Sequence, residues 1–238
     1  MNQQTVTEVD TRATRSARGA AARAKLKAAA LVVLEEVGYH KMRIADVTRE
    51  AGVAQGLFYH YFKDLKSLTL EVLEDFTNPA QDVDAIEKDV VPGDWYGRIY
   101  AHNRLVVSSY AKRPGVMRCL LQMADEDAEF SAALRDSFRQ QLMWLVDVMP
   151  RMFPKVEFRE HQALMTVYAL AGIGEGLMRE YFVNGSRTLR AAELDVDGMT
   201  ELLSTLFYRA LFLEHPPIEK LDYTKNLAAM AGPNRETS

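Results

Sequence analysis

Between Ala51 and Phe62 the chain reads AGVAQGLFYHYF, with four aromatic residues and one histidine crowded into the five positions from Phe58. Tyrosine hydroxyls and an imidazole can donate hydrogen bonds to phosphate oxygens without carrying sequence information. Gln55 can make a paired hydrogen bond to the edge of an adenine. Gly56 has no side chain and lets a helix lie close to a sugar-phosphate backbone. At helical spacing Val53, Phe58 and Phe62 turn towards a core, which leaves Ala54, Gln55, Gly56, Tyr59, His60 and Tyr61 facing out. The competing reading, in which Tyr59 and Tyr61 cap the core, accounts for one of them but not for the whole cluster.

Other constellations that could do chemistry are weaker. GIGEG at Gly172–Gly176 is similar to a dinucleotide loop, but no strand precedes it and it lies in a helix-periodic run, so it reads as helix packing. Glu157, Glu160 and His161 form E-x-x-E-H, which lacks the first histidine of the H-x-x-E-H zinc motif and reads as a solvated helix start. ADEDAE at Ala124–Glu129 could gather a divalent cation, although such runs more often mark a helix N-terminus favouring negative charge. No nucleophile–base pair or phosphate loop is visible. The chain is therefore read as not an enzyme, with no catalytic residue, metal or cofactor. The single Cys119 cannot form an internal disulfide and reads as a small buried hydrophobe in a reducing cytosol.

The elements that position these residues follow from a helical period that runs nearly everywhere. A first helix is expected from about Gly19 to Val37, where Leu26, Ala29, Ala30, Val33 and Val37 recur at three- and four-residue steps and Gly38 stops it. A short second helix over about 43–51 has Ile44, Val47, Thr48 and Ala51 on one face, and Gly52 breaks it. A third follows from near Ala54 to near Tyr61. A fourth runs from Asp64 through Leu68, Val72 and Phe76 to Asn78-Pro79. Short helix, glycine turn, short helix is a helix-turn-helix, whose second helix lies in the DNA major groove.

Charge agrees with that placement. Residues 1–66 hold eleven Lys/Arg against seven Asp/Glu, a local +4 in a chain of net −4, so the remainder carries −8. Arg12, Arg15, Arg18, Arg23, Lys25 and Lys27 follow one another with no acidic residue between them. A basic end on an acidic body suits a nucleic-acid contact confined to one small module. No uninterrupted apolar run approaches the length of a membrane span, and the polar, basic start does not read as a secretory signal. A cytoplasmic, nucleoid-associated bacterial protein is expected.

The stretch MRIADVTREAGVAQGLFYHYFKDLKSL, Met42–Leu68, resembles the DNA-binding signature of tetracycline-repressor-like (TetR family) transcriptional regulators. Asp46-Val47-Thr48, Ala51-Gly52-Val53, Gly56, Tyr59, His60, Tyr61, Phe62 and Leu68 carry the resemblance, which covers only a small part of the chain. It implies DNA contacts from Arg43, Thr48, Ala54, Gln55, Gly56, Tyr59, His60, Tyr61, Lys63 and Lys66. Leu65 stands where the family usually has a phosphate-holding lysine, and Lys63 or Lys66 is expected to take over. Ala54 and Gln55 replace the more frequent Ser and Lys or Arg, and the arginine-rich arm could compensate in the minor groove.

The remainder fits the family's second part, a helical domain for ligand binding and dimerisation. A polar linker (QDVDAIEKDVVPGDW) precedes helices at about 95–112, 116–123, 130–153 (with Pro150 kinking or shortening its end), 158–183 and 199–213. The last two are expected to pair with their twins. Leu164, Tyr168, Ala171, Gly172, Leu203, Leu206, Phe207, Ala210 and Leu213 supply small and apolar surface for a twofold interface, the alternative being burial within one chain. A ligand pocket is expected among Trp95, Ile99, Asn103, Met117, Leu121, Phe138, Met143, Trp144, Met165 and Tyr168. Such a stripe also serves as plain core.

The expected architecture is all-α: a basic flexible arm over 1–18, a three-helix helix-turn-helix domain over 19–66, a helical ligand-binding and dimerisation domain over 67–215, and a tail over 216–238. The expected function is a homodimeric regulator bound to double-stranded operator DNA and released by a small, largely apolar effector. Ligand-promoted binding or activation is the alternative within that class. Outside it stand a helical enzyme or cofactor carrier, marked by a bound chromophore or metal, and an interaction protein that fails to bind DNA at low salt.

Overall fold

In the computed structural model the chain is described over residues 4–77 and 83–229, with the backbone alone for residues 4–18, 83–84, 160 and 228–229. Among the described residues the regular structure is helical: α1 (Gln4–Val37), α2 (Ile44–Glu50), α3 (Gln55–Tyr61), α4 (Leu65–Thr77), α5 (Val83–Glu87), α6 (Trp95–Lys112), α7 (Pro114–Glu126), α8 (Ala128–Met152), α9 (Glu160–Met178), α10 (Arg187–Arg190) and α11 (Val196–Phe212). A π-turn over Arg179–Val183 continues α9, and 3-10 turns sit at Tyr39–Lys41, Ile218–Lys220 and Lys225–Ala229. The fold is all-α, as the periodicity demands. Two compact units divide it: Met1–Pro79 with Gly115–Arg135, and Ala80–Pro114 with Asp136–Ser238.

Two expected boundaries move. The arm over 1–18 is backbone helix from Gln4, in a segment with no proline or glycine to stop it. The side chains of Arg12, Arg15 and Arg18 lie outside the described residues. The polar linker holds the short helix α5, whose Glu87 accepts hydrogen bonds from α6.

In the first unit α1 lays Leu26, Ala29, Ala30, Val33 and Leu34 against Met42, Val47, Phe58, Phe62, Leu68, Val72 and Leu73, and the same core continues into Val116, Cys119, Leu120, Met123 and Phe130. Val37, the last residue of the expected stripe, is exposed instead, since the core ends one turn earlier. Glu35 closes this unit by accepting from the amides of Gly115 (3.0 Å) and Val116 (2.8 Å), the donors left free at the start of α7. A Cβ on Gly115 would stand 2.2 Å from the Glu35 carbonyl oxygen, so only glycine fits this contact.

In the second unit α6 and α11 lie together. Asn103 donates to Ser204 at 3.0 Å, and the Tyr96 and Thr205 hydroxyls lie 3.5 Å apart. The chain after α11 folds back over them. Glu201, 5 % exposed, accepts from the amides of Asp222 (2.8 Å) and Thr224 (2.7 Å) and from the Thr224 hydroxyl (2.7 Å). Lys220 pairs with Asp94, the N-cap of α6, and Leu221 is buried. The tail expected from Pro216 is thus packed as far as Leu227, where Arg209 donates to the carbonyl, and residues 230–238 lie outside the described residues. A second apolar cluster joins Val146 and Met149 of α8 to Ala163 and Val167 of α9.

Candidate nucleic-acid interface

The helix-turn-helix is built by backbone chemistry that the sequence specifies. Asp46 accepts from the Arg43 amide at 3.2 Å, tying down the start of α2, and also from the Arg49 guanidinium at 2.7 Å. The chain leaves α2 through Ala51, whose amide reaches Val47, and Gly52, whose φ of 65° is left-handed and costs a glycine nothing. Val53 then bonds back to the Thr48 carbonyl at 3.0 Å and α3 begins at Gln55. Asp64 in turn accepts from the Ser67 amide at 2.8 Å at the head of α4, and this bond chiefly holds its carboxyl below the usual range.

One face of α3 is spent on the core and the other is open. Phe58 and Phe62 are buried and lie 5.9 Å apart between ring centres, while Val53 packs partly against the same core. Ala54, Gln55, Gly56, Tyr59 and His60 are exposed, Tyr59 at 63 %. Nothing stands within 4 Å of where a Cβ on Gly56 would be, so a backbone can approach there. Tyr61 is half-buried. Its ring packs on the core, its hydroxyl lies against Gly19, and His60 sits edge-on to it at 4.9 Å. Of the two tyrosines, Tyr61 is the one that caps the core.

Three assigned side chains sit differently from the expectation. Thr48 is 3 % exposed and its hydroxyl donates to the Ile44 carbonyl at 3.0 Å, so it is spent inside α2. Arg43 is exposed, but its guanidinium folds back onto the carbonyls of His40 and Met42, both at 3.1 Å. Lys66 is paired with Asp127 at 2.5 Å, which raises its pKa and lowers that of Asp127, whereas Lys63 is exposed with no ion pair among the described residues. Leu65 packs on the core.

The basic run of α1 is also partly neutralised. Arg23 pairs with Glu71 at 2.6 Å and stacks over the Phe62 ring at 5.1 Å, and Lys27 pairs with Asp75. Sequence reasoning missed these contacts. The signal was present as basic residues four apart on α1 (Arg23, Lys27) matched by acidic residues four apart on α4 (Glu71, Asp75).

Residues 26–72 match the family described as bacterial regulatory proteins, tetR family. The match marks residues 26–72 as a DNA-binding domain of the tetR-family kind. Curated relatives include the HTH-type transcriptional regulator BetI of Klebsiella pneumoniae (strain 342), 40 % identical over 60 residues, and BetI of Escherichia coli O139:H28, 38 % identical over 60 residues. Each match covers 25 % of this chain and 31 % of the relative, so the chain spans under a third of the length of these relatives. Solved structures extend the likeness of fold. A TetR-family regulator from Mesorhizobium loti MAFF303099 covers 80 % of this chain and 96 % of its own (TM-score 0.61, 16 % identity). A transcriptional regulator from Pseudomonas aeruginosa PAO1 covers 80 % and 92 % (0.60, 17 %). One from Saccharomonospora viridis in complex with choline covers 77 % and 94 % (0.60, 19 %).

The residues assigned to the second part of the chain separate on burial. Along α9, Met165 (68 % exposed), Ala169, Gly172 and Ile173 (57 %) share the open side, and along α11 so do Leu206, Ala210 and Leu213. Leu203 is buried and faces α9, where a Cβ on Gly174 would lie 3.8 Å from it and 3.3 Å from Phe207. It therefore belongs to the packing of its own chain rather than to a twofold contact. Leu164 packs beside the α8–α9 cluster, and Ala171 and Tyr168 are half-buried.

The ligand set also divides. Met117 and Leu121 belong to the first unit, and the other eight to the second. There Phe138 meets Tyr168 edge-on at 5.8 Å and Trp144 stacks on His102 at 3.9 Å. Ile99 is buried, Met143 packs beside the α8–α9 cluster, Trp95 lies under Arg98, and Asn103 is held by Ser204. Met165 faces outward. No helix among the described residues is long and apolar enough to cross a membrane.

Proposed function

We propose that this chain is a homodimeric transcriptional regulator that reads double-stranded operator DNA with α3 and is released by a small, largely apolar effector bound among the helices of its second part. The observation that carries the reading is the open face of α3, with Gln55, Gly56, Tyr59 and His60 exposed over buried Phe58 and Phe62, on a domain of the TetR family. Gln55 is the base reader; Tyr59, His60, Tyr61, Arg43 and Lys63 serve the phosphates, Ala54 and Gly56 admit the backbone, and buried Thr48 is left out. The apolar stripe Met165, Ile173, Leu206 and Leu213 supports a twofold interface through α9 and α11, which would set two reading heads one DNA turn apart.

The effector acts by shifting a population between a dimer geometry that fits successive major grooves and one that does not. Taking occupancy from 1:99 to 99:1 requires a preference of about 5.5 kcal/mol for the released geometry. The aromatic pairs Phe138–Tyr168 and Trp144–His102 supply apolar surface for such a molecule. The test begins with duplexes selected from a random pool by the full-length protein, followed by a ligand screen against the selected complex that includes choline, the molecule held by the Saccharomonospora neighbour. Recovery of a palindromic site whose complex a ligand dissolves is the expected result. A ligand that tightens the complex would replace release by co-repression or activation, and failure to retain any duplex at low salt would remove the reading.

A further inference from the structure

The acidic run between α7 and α8 has a structural use that neither cation binding nor simple helix capping covers. Glu126 Oε1 lies 3.0 Å from His40 Nε2, and Asp127 Oδ2 lies 2.5 Å from Lys66 Nζ. Both pairs fall within the first unit, so consecutive carboxylates hold two basic groups of the unit that carries the helix-turn-helix. Asp127 is fixed in place. Its side chain is only 13 % exposed, and its second oxygen accepts from the Phe130 amide at 2.9 Å at the start of α8. Lys66 is its mobile partner, 53 % exposed on a flexible stem in the first turn of α4, three residues beyond the exposed Lys63. Exposed pairs of this kind are weak and exchange readily for another anion.

We propose that Asp127 and Glu126 are internal stand-ins for backbone phosphate, which hold Lys66 and His40 in the free protein and give them up to DNA. The acidic junction thereby sets how tightly the domain grips the sugar-phosphate backbone, and Asp127 is an affinity-setting residue that itself touches no DNA. This rests on the DNA-binding reading above.

The test uses the full-length protein and a mixed-sequence duplex, with binding followed by fluorescence anisotropy across a potassium chloride series. Asp127→Asn keeps an acceptor for the Phe130 amide, because asparagine caps helices as well as aspartate does; an unchanged melting temperature checks the fold. Asp127→Asn should bind several-fold more tightly at low salt, while its plot of log affinity against log salt keeps the parent's slope, because the same phosphate contact is made without a carboxylate to displace. Glu126→Gln should act in the same direction and less. The double variant Asp127→Asn with Lys66→Ala should lose the gain, and Lys66→Ala alone should bind more weakly than the parent, with a salt slope flatter by about 0.9 for the lost phosphate contact. Parent-like binding by Asp127→Asn would overturn the inference alone. So would a gain that survives in the double variant, since it would reflect net charge rather than a freed lysine. A parent that binds no duplex at low salt would remove the DNA-binding reading and this inference with it.

Discussion

Both units of this molecule carry ion pairs at the surface, but among the described residues only the second buries a carboxylate in a polar network. In the first, opposite charges meet at or near the surface, Arg23 with Glu71, Lys27 with Asp75 and Lys66 with Asp127, and the His40 ring lies beside Glu126. In the second, polar groups are taken inside, where Ser204 and Thr205 show no exposure, Thr224 shows 3 % and Glu201 shows 5 %. Surface pairs are worth little and can be traded for a partner's charges. Buried groups exact a desolvation cost that only their fixed partners offset. Under the proposed DNA-binding function the first unit can exchange contacts with a polyanion, whereas the second holds helices α6 and α11 and the returning chain in one geometry.

The largest effect should come from breaking the buried lattice. Glu201→Ala removes the acceptor for two amides and a hydroxyl, and should cost roughly 3 kcal/mol of stability in urea unfolding, at the upper end for orphaned buried donors. Gln55→Ala should come next, changing preference at one operator position by about 1–3 kcal/mol when single-base variants of the selected site are compared. Equal discrimination by parent and variant would deny Gln55 its base-reading role. Arg23→Ala, although it breaks an ion pair and a ring contact, should cost no more than about 1 kcal/mol because the pair is exposed. A loss matching that of Glu201→Ala would erase the contrast between the units.

Smaller effects sharpen the comparison. Lys63→Ala should weaken binding on all sequences alike and flatten the salt dependence by about 0.9, as expected for one lost phosphate contact. The weakest prediction concerns His102, which stacks on Trp144 and bonds to Glu87 at 2.9 Å. Burial holds its pKa below 6.5 although the Glu87 carboxylate pulls the other way. The unfolded chain therefore binds the proton more readily, and stability should fall as pH drops through 6.5. His102→Gln should flatten the urea midpoint between pH 7 and pH 5, and an unchanged slope would mean that other groups carry the dependence.

The legibility of the sequence divides along the same line. In the first unit the chain states its own requirements: Gly52 for a left-handed turn, Val53, Phe58 and Phe62 for the core, and a run of polar and aromatic residues left over. What escaped notice there were partners distant in sequence, such as Glu35 at the head of α7 and Asp127 beside Lys66. In the second unit the helices were legible and their faces were not. Met165 reads as pocket and is exposed, and Leu203 reads as interface and is buried, because an apolar residue at helical spacing does not declare which neighbour covers it. The Glu201–Thr224 latch left no pattern, since buried polar contacts obey no period.

The central claim is that two copies of this chain present α3 to successive major grooves of one DNA site. Native mass spectrometry of the full-length protein mixed with a selected operator duplex tests it most directly. Two chains on each duplex, or pairs of such dimers, with the complex lost in a Gln55→Ala, Tyr59→Ala double variant that remains a dimer, is the predicted result. A single chain on the duplex, or a complex that keeps its full affinity in that variant, would contradict it.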